Sequence, residues 1–355
     1  MARPVQTTGA VMPVVTFHIG MPKCATTTIQ SFLEARADWL AGQGQIYERH
    51  PEDRTRNQGN AAQLAAICMA QDAARMEAHL GYFLRSGRDV VLSSEVLFDL
   101  WRDEKFMPLR DAVERRGYEP RVVVYLKRQD LWIESDFKQH VKGRSDWVGS
   151  FEDLLERRWS RGTLDYHRLL SAWAAQVGRA AMRIVPLNPS QPQDFAVRRL
   201  LDVIGVALPE GPLGIAQQNV SPPAAMIEAA RHIKAALMAQ GMRAPDVAPL
   251  LARFMARGPE WAQTRAAQEI LSPEARRDLL ARCAASNAAL ARDFLGGRAL
   301  FDAPEDPDEA WVPLAERAEA ILSTHVAQEM RGALPETKPD GARVRRWLGA
   351  RWRKT

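Results

Sequence analysis

Apolar residues along this chain follow two alternating spacings. Runs at 14–19, 90–94, 121–126 and 182–187 are short and continuous, and several are β-branched, as in Val14-Val15-Thr16-Phe17 and Val122-Val123-Val124. Unbroken runs of this kind predict strands buried on both faces. Between them the apolar spacing opens to three or four residues, which predicts helices near 27–41, 60–85 and 104–116. Strands alternating with helices predict an α/β chain with a central parallel sheet covered on both faces. From 222 to 300 the pattern is alanine-rich and amphipathic with few strand signals, so this part is expected to be largely helical and to shape one side of a site. A single helix is expected over 311–330. The acidic, proline-bearing stretch 302–309 reads as a linker, and 43–60, rich in Gly, Arg and Asn, reads as an exposed surface loop that could border a substrate pocket.

The first strand runs into His18-Ile19-Gly20-Met21-Pro22-Lys23-Cys24-Ala25-Thr26-Thr27-Thr28, and an amphipathic helix follows at Ile29-Gln30-Ser31-Phe32-Leu33. Strand, tight loop with a lysine, hydroxyl cluster, helix is an order that builds an anion site. The helix start offers unpaired backbone N–H groups and the positive end of its dipole. Lys23 adds a full charge and the threonines add hydroxyl donors, so a phosphate or sulfate fits with little further machinery. Gly20 stands three residues before the lysine and no glycine directly precedes it, so the loop is not the G-x-x-x-x-G-K-[ST] motif.

The loop resembles the 5′-phosphosulfate loop of sulfotransferases, written H-I-G-x-x-K-T-G-T-T. It keeps the His, Gly, Lys and both Thr, and departs at Cys24 and Ala25. Alanine in place of glycine implies either that the position needs no positive φ or that the loop is altered. A second segment strengthens the likeness. Strand Arg121-Val122-Val123-Val124-Tyr125-Leu126 is followed by Lys127-Arg128-Gln129-Asp130 and a helical stretch over 131–141. In sulfotransferases the matching segment reads L-R-x-P, and a serine eight residues after the arginine joins it in holding the 3′-phosphate of the donor, 3′-phosphoadenosine 5′-phosphosulfate (PAPS). Here that spacing joins Lys127 to Ser135, with Arg128 adjacent, so either cation is a candidate for the 3′-phosphate. A lysine holds phosphate as a point charge and lacks the bidentate fork.

Weaker likenesses continue at Asp165-Tyr166, Trp173 and Gly178, at 194–205, at Asn219-Val220-Ser221, and at Phe294-Leu295-Gly296 with Leu300-Phe301. The likeness spans roughly 14–303. It implies a P-loop-type three-layer fold, preceded by a tail over 1–13 and followed by a linker and helix over 304–337 and a basic tail over 338–355. It also implies PAPS as sulfuryl donor, with no metal, and an acceptor that is a carbohydrate or glycoconjugate.

Composition fits this reading. At 46% hydrophobic residues the chain can bury a core, and no apolar run approaches the length of a membrane span. Residues 1–12 lack the apolar centre of a signal peptide, and three widely spaced cysteines, Cys24, Cys68 and Cys283, suggest no disulfide framework, so a cytoplasmic protein is expected. Cys24 sits where Lys23 and a helix start could lower its pKa, although a small apolar filler is the simpler role. The formal net charge of +5 rests on six cations in 343–354, and setting these aside leaves −1. A near-neutral body argues against a nucleic-acid binder. The tail interleaves its charges with Trp347, Leu348 and Trp352, so it could rest on the inner membrane surface or serve as a solubilising end.

Sulfuryl transfer builds negative charge on the bridging oxygen of the departing nucleotide, so Lys23 is the first candidate catalytic residue, with Cys24, Ala25, Thr26, Thr27 and Thr28 around the 5′-phosphate. An alcohol acceptor needs a base. Glu95 just past the strand 90–94 is the first candidate and His140 the second, since the resemblance implies a glutamate or a histidine in this role, as in glycan-modifying sulfotransferases. His18 reads as a satisfied, buried histidine. Lys138 and Lys142 read as solvated helix charges. Two alternatives stand beside the transferase: a P-loop kinase using ATP, and a non-catalytic scaffold docking through its basic tail, which the changes at Cys24, Ala25 and Lys127 would permit.

Overall fold

A computed structural model describes residues 12–55, 58–208, 211, 213–215, 222–256, 269–305 and 310–333. The expected Asn219-Val220-Ser221 element and the basic tail lie outside the described residues. The chain divides into two compact units. One holds the described residues of Met1–His140, Gly149–Ser221 and Leu271–Asp308, and the other those of Val141–Val148, Pro222–Ile270 and Glu309–Thr355.

The first unit is built on five parallel strands, β1 (Val14–Gly20), β2 (Gln45–Ile46), β3 (Asp89–Ser93), β4 (Glu119–Lys127) and β5 (Met182–Leu187), in the spatial order β2-β3-β1-β4-β5. The four expected strands are present. The fifth, β2, is a two-residue edge strand inside the stretch read as surface loop, where Gln45 and Ile46 pair with Asp89 and Val90. Two residues carry no periodicity, so only the tertiary pairing makes it a strand. β1 is central: Phe17 lies opposite Leu92 on one side and Val122 on the other. Every β1 residue after Val14 is buried, as strands covered on both faces require. The chain moves from β1 out to β2, returns to β3, then crosses β1 to reach β4. The tip of β1 therefore sits where the strand order reverses, and crevices at the carboxyl ends of such sheets take ligands.

The expected helix at 27–41 is two helices, α1 (Thr26–Ala35) and α2 (Ala37–Gly42), parted at Arg36, whose φ of −119° leaves the helical region. The expected helix at 60–85 is likewise two, α3 (Ala62–Met69) and α4 (Ala73–Phe83). Gln71 at φ 56° ends the first, and Asp72 starts the second by accepting the Arg75 N–H. A 3₁₀ segment, Glu95–Glu104, follows β3, and α5 (Met107–Arg115) opens with Pro108 in its first turn. After β4 come α6 (Gln129–Lys142), α7 (Phe151–Ser160), α8 (Tyr166–Val177) and, after β5, α9 (Phe195–Val203). Phe106 ties the sheet to α8, standing edge-on to Phe17 at 5.0 Å and to Trp173 at 4.9 Å.

The helical region expected over 222–300 is divided between the units. Helices α10 (Ala224–Ala239) and α11 (Ala244–Met255) pack with α13 (Leu314–Ala333) in the second unit, whereas α12 (Pro273–Phe294) packs on α8 in the first. Among the described residues no helix is long and apolar enough to cross a membrane.

Candidate active site

The loop after β1 is defined by its backbone. Gly20 has φ +73°, and a Cβ there would stand 2.9 Å from Thr26 Cγ2 and 3.4 Å from Glu95 Cβ, so only glycine fits. Lys23 (φ 70°) and Ala25 (φ 59°) also take positive φ. Of the two implications drawn from Ala25, the absence of positive φ is therefore corrected. The alanine adopts the left-handed conformation, at a cost of about 1 kcal/mol. Positive-φ residues alternating with ordinary ones form a concave set of N–H groups, a nest suited to anions. α1 then starts at Thr26 with no side-chain cap and no acid in its first turn. Its N–H groups and dipole are left to act outward. Thr27 is exposed and Thr28 half-buried, whereas buried Thr26 donates its hydroxyl to Glu95 Oε2 at 3.2 Å.

Packing beneath the loop holds this shape. Cys24 is fully buried, and burial pushes its thiol up to about 11 despite the Lys127 charge nearby. The lowered pKa considered for Cys24 is thus corrected, and the residue is an apolar filler. The Cys24 N–H donates to the Met21 carbonyl at 3.1 Å and the Trp132 indole donates to the Pro22 carbonyl at 2.8 Å. The Met21 N–H donates to the Tyr125 carbonyl on β4 at 3.4 Å and Thr26 bonds Glu95 just past β3, which places the loop between the ends of β4 and β3.

On the β3 side, Ser94 caps the 3₁₀ segment by accepting the Val96 N–H at 3.2 Å, and Glu95 begins it, half-buried. Ser93, beneath, is fully enclosed. Its hydroxyl meets His18 Nδ1 at 2.8 Å and accepts from Gln30 Nε2 at 3.3 Å. Its N–H donates to Asn60 Oδ1 at 2.8 Å. Gly59 closes this corner: a Cβ there would lie 2.0 Å from the Ser93 carbonyl oxygen. Burial alone lowers His18 to about 3, so the ring is neutral. Its Nδ1 is satisfied as expected, while Nε2 has no hydrogen-bond partner among the described residues.

On the β4 side, the eight-residue spacing closes into a contact: Lys127 Nζ donates to Ser135 Oγ at 3.4 Å, and Ser135 donates to the Leu131 carbonyl at 2.8 Å. Arg128 turns inward. Its guanidinium is bidentate to Asp130 at 2.8 and 2.9 Å and donates to the Asp302 carbonyl at 2.8 Å. Asp130 also faces Arg276 at 3.1 Å. Arg128 borders a cavity of about 580 Å³ walled by α12 and by Leu300, Phe301 and Asp302, a volume in the range of small-molecule sites. His140 lies further along α6, where Nδ1 meets the Asp136 carbonyl at 2.9 Å and Asp136 is held by Arg158 at 2.8 Å. Lys138 is buried, not solvated as expected, because α6 is enclosed on most of its circumference.

The structure thus gathers Lys23, Thr26, Glu95, Lys127 and Ser135 around one loop. The supporting residues Gln30, Asn60, Gly59, Trp132 and Asp130 were missed in sequence, since each acts through a tertiary contact. In comparisons with protein-family models, curated proteins and solved structures, no match to the chain was found.

Proposed function

We propose that the chain is a PAPS-dependent sulfotransferase with a P-loop-type fold, acting on a hydroxyl, or less readily an amine, of a carbohydrate or glycoconjugate in the cytoplasm. The observation that carries this reading is a two-sided cationic cradle. Positive φ at Lys23 and Ala25 and the uncapped start of α1 lie on one side, and the Lys127–Ser135 pair lies on the adjacent strand end.

In this reading the loop N–H groups, Thr27 and Thr28 hold the 5′-phosphate of the donor, and Lys127 with Ser135 holds the 3′-phosphate. Arg128 acts one step back, its charge spent on Asp130. The S–O bond to the bridging phosphate oxygen breaks, and Lys23 and the helix start stabilise the charge left on that oxygen. The acceptor oxygen bonds to sulfur, and its proton passes to the Glu95 carboxylate. Thr26 fixes that carboxylate at 3.2 Å, so it is oriented before the acceptor arrives. His140, bound to Asp136, is the second candidate for the proton. The products are a sulfate ester and adenosine 3′,5′-bisphosphate, and no metal is needed for the step.

A screen of mono- and oligosaccharides with radiolabelled PAPS tests this. Label is expected in an acceptor, falling about 10²–10³-fold in Lys23→Ala, the size of effect seen when one oxyanion donor is removed. Unchanged turnover in that variant would contradict the role of Lys23.

A further inference from the structure

Away from the cradle, three ligand-bearing side chains converge that no step of the transfer uses. His50 and Glu52 lie in the turn after β2, and His79 lies on α4. One ligand atom from each falls within 4.8 Å of the others. We infer that His50, Glu52 and His79 bind one divalent transition-metal ion of the zinc type, which ties the turn after β2 to α4.

His79 carries the argument. It is only 3% exposed, and its Nδ1 lies 3.1 Å from the Arg75 carbonyl, one turn back on the same helix. A carbonyl can only accept, so the proton is on Nδ1 and Nε2 presents a lone pair. That Nε2 is buried with no hydrogen-bond partner. A ring held through its remote nitrogen by a backbone carbonyl, with the other nitrogen bare, is how metal-ligating histidines are oriented. His50 stacks on it, ring centroids 3.8 Å apart and planes 14° from parallel. Its Nδ1 accepts the Glu52 N–H at 3.2 Å and so also carries a lone pair. Binding requires His50 to swing out of the stack and give up that bond. It can do so because it sits in a turn and is half-buried. Glu52 is exposed and supplies the negative charge. Two imidazole nitrogens and one carboxylate favour zinc-like ions over magnesium or calcium, and three protein ligands leave a fourth position for water.

The neighbouring contacts say what such an ion would do. Tyr82 on α4 donates to the Arg49 carbonyl at 3.3 Å, and Arg49 Nη1 donates to the Thr55 and Gly59 carbonyls at 2.6 and 3.1 Å. Asn60 Nδ2 donates to the Glu48 carbonyl at 2.9 Å while its Oδ1 receives the Ser93 N–H. The turn is thereby stitched to the end of β3, two residues before Glu95. An ion on His79 staples that turn, and the inference stands whether or not the chain transfers sulfate.

Cobalt(II) titration of the tag-free full chain, with zinc competition against a chromophoric chelator, tests it. One cobalt per chain is expected, with the intense visible bands of four-coordinate geometry, displaced by zinc. Glu52→Gln, exposed and safe for folding, and His50→Asn are each expected to weaken zinc binding at least about tenfold. Zinc should raise the thermal midpoint of the wild type and lose this effect in both variants. No stoichiometric binding, a weak six-coordinate spectrum, or zinc affinity unchanged in both variants would overturn the site.

Discussion

Acidification should weaken the fold through His18. His18 is fully buried under the loop, and burial lowers it from 6.5 to about 3. The unfolded chain therefore binds a proton below pH 6.5 that the folded chain refuses until about pH 3. Stability from this group is fully present above 6.5 and falls as pH drops toward the folded value, by about 1.4 kcal/mol per pH unit. At pH 5 the loss is about 2 kcal/mol, a large share of the roughly 5–15 kcal/mol that holds a domain folded. His18→Phe removes the titration but keeps a ring edge-on to Tyr125, 5.3 Å away in the wild type. Urea unfolding at pH 7, 6 and 5, followed by tryptophan fluorescence, isolates the effect. Other carboxylates and histidines titrate in both proteins and cancel in the comparison. The wild type should lose about 2 kcal/mol more than the variant between pH 7 and 5. Parallel losses would mean that the histidine is hydrated or already charged, and the enclosed floor of the site would be wrong.

Ala25→Gly should leave stability unchanged or raise it by up to about 1 kcal/mol, because glycine relieves the left-handed alanine while gaining unfolded-state entropy. Ala25→Val should lower stability and weaken donor binding, and the same urea titration with donor calorimetry checks both. Glu95→Gln should spare donor affinity and slow transfer about 10²–10⁴-fold, read by splitting kcat from KM. Asp130→Asn removes the buried carboxylate that Arg128 and Arg276 share, leaving Glu134 at 3.7 Å from Arg276, and should cost about 3–5 kcal/mol in chemical denaturation.

What could be read in the chain depended on how local its cause was. The strands at 14–20, 89–93, 119–127 and 182–187 were legible because continuous apolar runs follow directly from burial on two faces. The pairing of Lys127 with Ser135 was legible only through the sulfotransferase resemblance, which joins a strand-end cation to a serine eight residues on. Elsewhere the cause was tertiary. Alanine at 25 gives no sign of positive φ, since only the surrounding packing imposes it. The two-residue β2 exists only through its partner β3. Arg128 looked as available as Lys127 until the buried Asp130 and Arg276 were seen around it. Likewise His50 and His79 are 29 residues apart, and only the fold stacks them.

Calorimetric titration of the full chain with adenosine 3′,5′-bisphosphate in the absence of magnesium addresses the cradle most directly, with Lys127→Met and magnesium–ATP as comparisons. One nucleotide per chain should bind, at least about tenfold more weakly in Lys127→Met, where a charge-assisted phosphate contact is lost, while ATP binds poorly. Tight ATP binding with no affinity for the bisphosphate, or no nucleotide binding at all, would contradict the sulfotransferase reading.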